Sequence, residues 1–247
     1  MIRRRRNLLL YSKKFKNNYS FLFDGVNEYI DVESVSSFSF IQNTGIFTLS
    51  TWVKFNNYTV VPEYIMGSTS TGVEKGFYFG TETSGTLNFI LINGGGTIIS
   101  SSASNLISNN NYNHIVVVGN GTNIIFYVNG VSTTGSGTMG VFSSGNSTRT
   151  INIGRINNFG SGYFNGNIDE VGIFNTNLTA AQITEIYNNG KPKDLKKHSA
   201  VNNLVSYYRM GDKETWDGTN WTLVDQKGTN NGTSVNMENL DRILDTP

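Results

Sequence analysis

Residues 164–187 read FNGNIDEVGIFNTNLTAAQITEIY, and two different patterns meet within this stretch. Up to Val171, apolar and polar residues alternate as they do in a β-strand. Towards the end of the stretch the apolar residues instead recur every three to four positions, which predicts a short helix near 179–188. Thr179 followed three residues later by Gln182 is the pattern of a capping box and indicates where this helix begins.

Strand-like alternation recurs along the rest of the chain. In FTLSTWVKF (47–55), Phe47, Leu49 and Val53 fall on one face and Trp52 on the other, so both faces hold large apolar groups, as in a central strand of a sandwich. The other strand candidates are residues 21–25, 29–32, 64–66, 76–80, 86–91, 97–100, 114–118, 123–128, 150–154, 163–171 and 204–210.

Turn residues separate these candidates. The segment 29–32 follows 21–25 within the distance of a hairpin. Asn120-Gly121 and Asn129-Gly130 are residue pairs that a type I′ hairpin turn prefers. The pattern predicts an all-β fold with many short strands and the one helix near 179–188.

The composition excludes several classes of protein. Of 247 residues, 37% are hydrophobic and 15% are charged, while 27 are Gly and 34 are Asn. The 15 Phe and 12 Tyr are too many for a disordered chain. With no Cys and two His, there is no disulfide framework or thiolate metal site and little room for a His-based catalytic triad. No stretch is long and apolar enough to predict a membrane span, and the short run at 8–11 does not make an export signal.

Charge is concentrated at the amino terminus. Residues 1–16 have seven basic residues and no acidic one, which leaves 12 basic and 18 acidic residues in the remainder, a net charge of −6. Within this predicted arm, Arg3, Arg4, Arg5 and Arg6 are consecutive. We expect the arm to dock onto an acidic protein surface in an assembly, in preference to remaining a solvated terminus. Nucleic acid is the least favoured partner, because no folded nucleic-acid motif follows and the body is acidic.

The order of these segments resembles the laminin-G-like branch of the concanavalin A-like lectin/glucanase superfamily. The matching stretches are FLFDGVNEYIDV (21–32), FTLSTWVKF (47–55), YNHIVVV (112–118), IIFYVNG (124–130) and FNGNIDEVGIFNTNLTAAQITEIY (164–187). The resemblance implies a jelly-roll sandwich of two antiparallel sheets.

Two segments that match the family have a different position along this chain than in many family members. LVSYYRMGD (204–212) and DQKGTNNGT (225–233) match segments that many family members have at their amino terminus. We therefore predict a circular permutation, which is feasible because the termini of compact domains often lie close together. The predicted organisation is a basic arm at 1–16, a sandwich at 17–237 and a tail at 238–247. Within the sandwich, 191–203 is a linker and 204–237 supplies strands that complete the sheets.

Two functions follow from the resemblance. The carboxyl-terminal region resembles laminin-G-like proteins of tailed-phage virions, which implies a structural virion protein such as a capsid decoration, fibre or tail component. It would be present as a homo-oligomer or in many copies and would contact other virion proteins. The alternative is a carbohydrate-binding, lectin-like module of a bacterial surface or secreted protein, whose partners would be surface glycans. Neither reading involves a membrane span.

Glycoside hydrolysis is not expected. Glucanases of the superfamily place two carboxylates at alternating positions of one strand, and this chain has no such spacing. Its nearest acidic pair, Asp169-Glu170, is adjacent, so the two side chains should point to opposite faces unless a bulge intervenes. If Glu170 points inward it needs a partner, and Lys54, Arg155 and His114 are the candidate cations.

Binding residues are predicted from exposure and chemistry. Tyr163 and Trp216 lie in or next to predicted loops, where aromatic rings could stack on sugars, and Trp221, five residues after Trp216, is the third candidate. The alternative is that most such aromatic residues cap the core. No cofactor is required, but calcium takes oxygen ligands and needs neither Cys nor His. Its candidate ligands are Asp24, Asp169 and Asp225. The alternative for Asp24 and Asp225 is that they stabilise turns through their own backbone hydrogen bonds.

Overall fold

The fold is seen in a computed structural model of the chain. It describes residues 15–32, 36–57, 62–68, 76–82, 85–92, 97–101, 106–136, 150–156 and 162–247. The predicted arginines of the arm, Arg3, Arg4, Arg5 and Arg6, lie outside the described residues.

The described strands form two sheets, and every strand pairing in them is antiparallel. The first sheet contains β1 (Ser20–Asp24), β3 (Ile46–Phe55), β8 (Tyr112–Asn120), β9 (Ile124–Val128), β10 (Val131–Thr134), β12 (Asn165–Phe174), β13 (Leu204–Tyr208) and β17 (Arg242–Ile243). The second contains β2 (Tyr29–Val32), β4 (Glu63–Gly67), β5 (Gly76–Thr81), β6 (Leu87–Ile92), β7 (Thr97–Ser101), β11 (Ile151–Ile153), β14 (Thr215–Trp216), β15 (Trp221–Leu223) and β16 (Gly232–Val235). The predicted all-β, two-sheet antiparallel sandwich is confirmed.

The core lies between the two sheets. In β3, Phe47, Leu49 and Val53 point into the core, together with apolar residues from strands of both sheets. Trp52 points the other way and stacks on Tyr187, with ring centroids 5.9 Å apart. Both faces of β3 are therefore buried, as its sequence predicts for a central strand.

Helix α2 (Ala180–Tyr187) covers the outer face of the first sheet. Its Ile183 and Ile186 form an apolar cluster with Val116 and Val118 of β8. The predicted capping box is present, because the Thr179 side chain accepts a hydrogen bond from the Gln182 backbone N–H and Gln182 returns one. The prediction of a helix near 179–188 is confirmed. A second short helix, α1 (Phe40–Thr44), was not predicted from the sequence.

The carboxyl-terminal segment contributes strands to both sheets. In the first, β13 pairs with β12 and β17 pairs with β1. In the second, β16 pairs with β2, and β15 and β14 follow outwards. Pairing thus continues beyond residue 237 into the predicted tail. The structure also places β1 and β2 in different sheets, so the turn between them crosses the sandwich and does not close a hairpin. The circular permutation and the domain boundaries stay predictions.

Candidate functional site

The outer face of the second sheet presents a row of polar and small residues. In β2 and β11 the alternate residues Ile30 and Ile153 point into the core, so Asp31 and Asn152 point outward. The registers place these outward residues side by side in one row, which comprises Thr215, Thr222, Thr233, Asp31, Asn152, Gly67 and Tyr78. This row is polar where the outer face of the first sheet is apolar and covered by α2.

The chain folds back over this face directly after β11. Gly154 turns it with a φ of +90°, and an added Cβ there would lie 2.7 Å from the Phe23 ring. Ile156 then packs against the sheet at Gly67, with its Cγ2 only 2.4 Å from where a Gly67 Cβ would be. Only glycine leaves room at Gly154 and Gly67, so these two residues allow the chain to fold back over the sheet. The fold-back places Arg155 over the row.

Arg155 joins two tyrosines at the edge of the row. Its Nε donates to Asn152 Oδ1 at 2.9 Å, and its guanidinium carbon lies 3.3 Å from the centroid of the Tyr29 ring. Its Nη1 donates to the Tyr163 hydroxyl at 3.4 Å. Tyr29, Arg155 and Tyr163 are all half-buried. We call Tyr29, Asp31, Asn152, Arg155 and Tyr163 the Arg155 cluster.

Two polar atoms of the Arg155 cluster have no hydrogen-bond partner in the described part of the chain. Asp31 and Asn152 are directly opposite each other on β2 and β11. Asp31 Oδ1, an acceptor, and Asn152 Nδ2, a donor, are buried and make no hydrogen bond to any residue that the structure describes. Buried polar groups are normally paired, so this neighbouring acceptor and donor are unusual. A hydroxyl group can donate to one and accept from the other, and the adjacent tyrosine rings offer apolar faces.

Of the three aromatic residues predicted to bind a ligand, the structure brings Tyr163 into this cluster and places the two tryptophans elsewhere. Trp221 is a core residue, 2% exposed, whose ring packs against Phe21. Its Nε1 donates to the Glu238 backbone carbonyl at 2.9 Å. Its ring is therefore enclosed in the core and does not reach the surface, where a sugar would bind. Trp216 is half-buried and packs on Trp221 at 5.3 Å, at the far edge of the sheet.

Asp24 and Asp225 use their carboxylates in turns. Asp24 Oδ1 accepts from the backbone N–H groups of Val26 and Asn27. Asp225 accepts from three backbone N–H groups, those of Tyr207, Lys227 and Asn230. These contacts are those of turn-stabilising residues. Among the residues that the structure describes, no three His, Asp or Glu side chains are grouped so as to hold a metal ion. Calcium binding stays a prediction.

Asp169, the third candidate ligand, is fully buried. Its Oδ2 accepts from Asn17 Nδ2 at 2.7 Å and its Oδ1 from the Glu170 N–H at 2.8 Å. Burial raises its pKa well above the usual range, and the neighbouring Glu170 charge adds to the rise. A bulge falls between Asp169 and Gly172, and Glu170 has a φ of +49°. Because of this bulge, the two adjacent acidic side chains are both buried.

The partner of Glu170 is none of the three cations that the sequence suggested. Arg209, which follows β13, donates from Nε to Glu170 Oε1 at 3.0 Å. Tyr207 donates its hydroxyl to the other carboxylate oxygen of Glu170. The three candidates lie elsewhere: Lys54 pairs with Asp245, Arg155 with Asn152, and His114 with Ser50. Burial raises the pKa of Glu170, and the Arg209 charge opposes that rise.

The fold and this outer face define a β-sandwich of the concanavalin A-like type. The sequence profile of the family Laminin_G_3, of the concanavalin A-like lectin/glucanases superfamily, matches residues 24–184. The chain therefore belongs to this family. A search of curated proteins found no significant match.

Solved structures share the fold at low sequence identity. A protein from Bacteroides ovatus, proposed to bind carbohydrate, is 22% identical with a TM-score of 0.61; the alignment covers 89% of this chain and 58% of that one. The CBM40 of the Ruminococcus gnavus IT-sialidase is 11% identical with a TM-score of 0.56, covering 68% of this chain and 96% of that one. The leech intramolecular trans-sialidase is 10% identical with a TM-score of 0.54, covering 72% of this chain and 29% of that one. This chain thus spans only part of two of these proteins, and the likeness shows the fold alone.

Proposed function

We propose that the chain is a carbohydrate-binding module and that the Arg155 cluster holds the sugar. The observation that carries the proposal is the unpaired acceptor of Asp31 beside the unpaired donor of Asn152. A sugar presents adjacent hydroxyl groups, and each can donate and accept at once. The structural similarity to carbohydrate-binding proteins supports this choice of ligand.

The remaining residues of the cluster suit the rest of a sugar ring. Tyr29 and Tyr163 are partly exposed residues, and an aromatic ring can cover the apolar face of a pyranose. Arg155 fixes both of them through one guanidinium, stacked on the first ring and bonded to the hydroxyl of the second. A site whose side chains are held before binding loses less conformational freedom when the ligand arrives.

The proposed location of the module follows from the proposed carbohydrate ligand. We propose that it acts at a bacterial surface or outside the cell, where glycans are presented. Among the described residues, no helix has the length and apolar character needed to cross a membrane. No specific observation on the described residues supports the predicted virion role or its virion partners and oligomers, which stay predictions. The chain is proposed as a binding module without glycosidase activity.

A glycan array tests the proposal with two matched arginine variants. Arg155→Met keeps the length of the side chain but removes its charge and its hydrogen bonds to Asn152 and Tyr163. Arg242→Met is the control, because Arg242 also lies over aromatic rings, those of Tyr19 and Trp221, but belongs to β17 of the first sheet.

We expect the wild type to bind one or more glycans and Arg155→Met to bind them at least tenfold more weakly, which is the loss of about one charge-assisted hydrogen bond. Arg242→Met should bind like the wild type. A wild-type protein that binds no glycan, or equal losses in the two variants, would show the proposal to be wrong.

A further inference from the structure

A cavity of about 610 Å³ lies away from the Arg155 cluster, beside the first sheet. Its walls come from the amino-terminal segment 15–18, the turn at 194–197 and the chain that follows β13. Its size is within the range of small-molecule sites. The lining includes Phe15, Lys16, Lys196, Arg209, Asp212 and Lys213.

The charge of this lining is predominantly positive. Four basic side chains face two acidic ones, those of Asp194 and Asp212. The Asp212 carboxylate is fully engaged, since it accepts from Arg209 Nη2 at 2.9 Å and from the backbone and side chain of Asn18. Asp194 Oδ1 accepts from the Lys196 N–H, as a cap of the turn. Lys16, Lys196 and Lys213 are exposed or half-exposed and form no ion pair within the described part of the chain.

Arg209 is the buried cation of the cavity, with 7% of its surface exposed. Its Nε bonds to Glu170, and its Nη2 bonds to Asp212 and to the Lys16 carbonyl. Nη1 makes no hydrogen bond to any described residue. A guanidinium offers five N–H donors, so part of this buried group is available to a ligand in the cavity.

The wall of the cavity is fixed before any ligand binds. Met210 and Gly211 have positive φ values of 44° and 120°, and the buried Glu214 carboxylate accepts from the N–H groups of Gly211 and Lys213. The Phe15 ring lies 4.2 Å from the Arg209 guanidinium carbon. The Arg209 side chain, the Phe15 ring and the Lys213 backbone are therefore held in place by internal contacts, as the wall of a binding site needs to be.

We propose that this cavity is a second binding site, which takes an acidic saccharide. The anionic group of the sugar bonds to Arg209 Nη1 and is neutralised by Lys196 and Lys213. The Phe15 ring and the side-chain amides of Asn18 and Gln226, which also line the cavity, contact the rest of the sugar. The site is separate from the Arg155 cluster and does not depend on the function proposed for that cluster.

The test is calorimetric titration of the full chain with ligands that differ in charge. Digalacturonate has carboxylates, lactose 3′-sulfate has a sulfate group, digalactose is the neutral match, and inorganic phosphate is an anion without a sugar. The test variant is Lys196→Gln/Lys213→Gln. Lys197→Gln is the control, because Lys197 is exposed on the same turn but does not line the cavity.

We expect at least one of the two acidic sugars to bind more tightly than both digalactose and phosphate, and to bind more weakly at high salt. The double lysine variant should weaken that binding roughly tenfold, as two partly exposed charge contacts do, and Lys197→Gln should leave it unchanged. Binding of carboxylated or of sulfated sugar alone would identify the anionic group.

The proposal would be overturned by no binding of either acidic sugar at millimolar concentration, by equal binding of digalactose or phosphate, or by binding that the double variant does not weaken. Arg155→Met separates the two sites, because it should leave acidic-sugar binding at the cavity intact. If it abolishes that binding, the acidic sugar occupies the Arg155 cluster and the cavity is not its site.

Discussion

Glu63, the first residue of β4, makes the stability of the fold depend on pH. Its side chain is 2% exposed, and its Oε2 accepts one hydrogen bond, from the Asn165 N–H at 3.1 Å. Burial raises its pKa from 4.5 to about 7, and the single hydrogen bond does not compensate. The folded protein therefore binds a proton that the unfolded chain releases between these two pH values.

The sign and size of the effect follow from linkage. For an acid whose pKa is higher in the folded state, stability is greatest below the unfolded pKa and falls as the pH rises to the folded one. With values of 4.5 and about 7, Glu63 lowers the free energy of unfolding by about 2 kcal/mol between pH 5 and pH 7. Glu63→Gln removes the titrating group and keeps the shape, so its stability should lack this fall.

Urea unfolding followed by tryptophan fluorescence at pH 5 and pH 7 measures the difference. The wild type should lose about 2 kcal/mol more than Glu63→Gln across this interval. Other acids with raised pKa, such as Glu28 at about 8, titrate in both proteins and cancel in the comparison. Parallel pH profiles for the two proteins would show that the titration of Glu63 does not contribute to the pH dependence of stability.

Four further substitutions test the energetics of the fold by urea unfolding. Arg209→Met leaves Glu170 buried without its cation and should lower the free energy of unfolding by about 3–5 kcal/mol. Lys54→Met removes one side of a part-exposed ion pair and should lower it by about 1 kcal/mol or less. Equal losses in the two variants would contradict this difference between a buried and a part-exposed pair. Thr179→Ala removes the cap of α2 and should cost about 1 kcal/mol, so an unchanged midpoint would count against the capping box. Gly166→Ala puts a Cβ 2.0 Å from the Lys54 carbonyl oxygen and should prevent folding, and a stable variant would be inconsistent with the packing described.

The strands and the principal helix were predictable because their signals are local. Alternation identified β3 as a strand with two apolar faces, and the Thr179–Gln182 spacing located the start of α2. Asn129-Gly130 forms a two-residue turn with both φ values positive, 51° and 80°, as its sequence predicts. Asn120-Gly121 does not, because the Asn120 side chain accepts from the Thr122 and Asn123 N–H groups and stabilises a longer turn.

The candidate sites were only partly predictable because they depend on pairings between distant segments. Arg209 lies 39 residues from Glu170 in sequence and reaches it because β13 pairs with β12. Asp31 and Asn152 are neighbours only through the register of β2 with β11. Tyr163 could be nominated as a partly exposed aromatic residue near a loop. Trp221 was nominated for its place beside Trp216 in the sequence. The strand β15, which points its ring into the core, is too short for its alternation to be visible.

Carbohydrate binding at the Arg155 cluster is tested most directly by NMR, in a chemical-shift map of the protein with the glycan that gives the strongest array signal. If the Arg155 cluster binds the sugar, the resonances of Tyr29, Asp31, Asn152, Arg155 and Tyr163 should shift in proportion to bound ligand. The Arg155 Nε–H, which donates to Asn152, should be among the most affected. Shifts confined to other parts of the molecule, or none at saturating glycan, would contradict the assignment of this surface to carbohydrate binding.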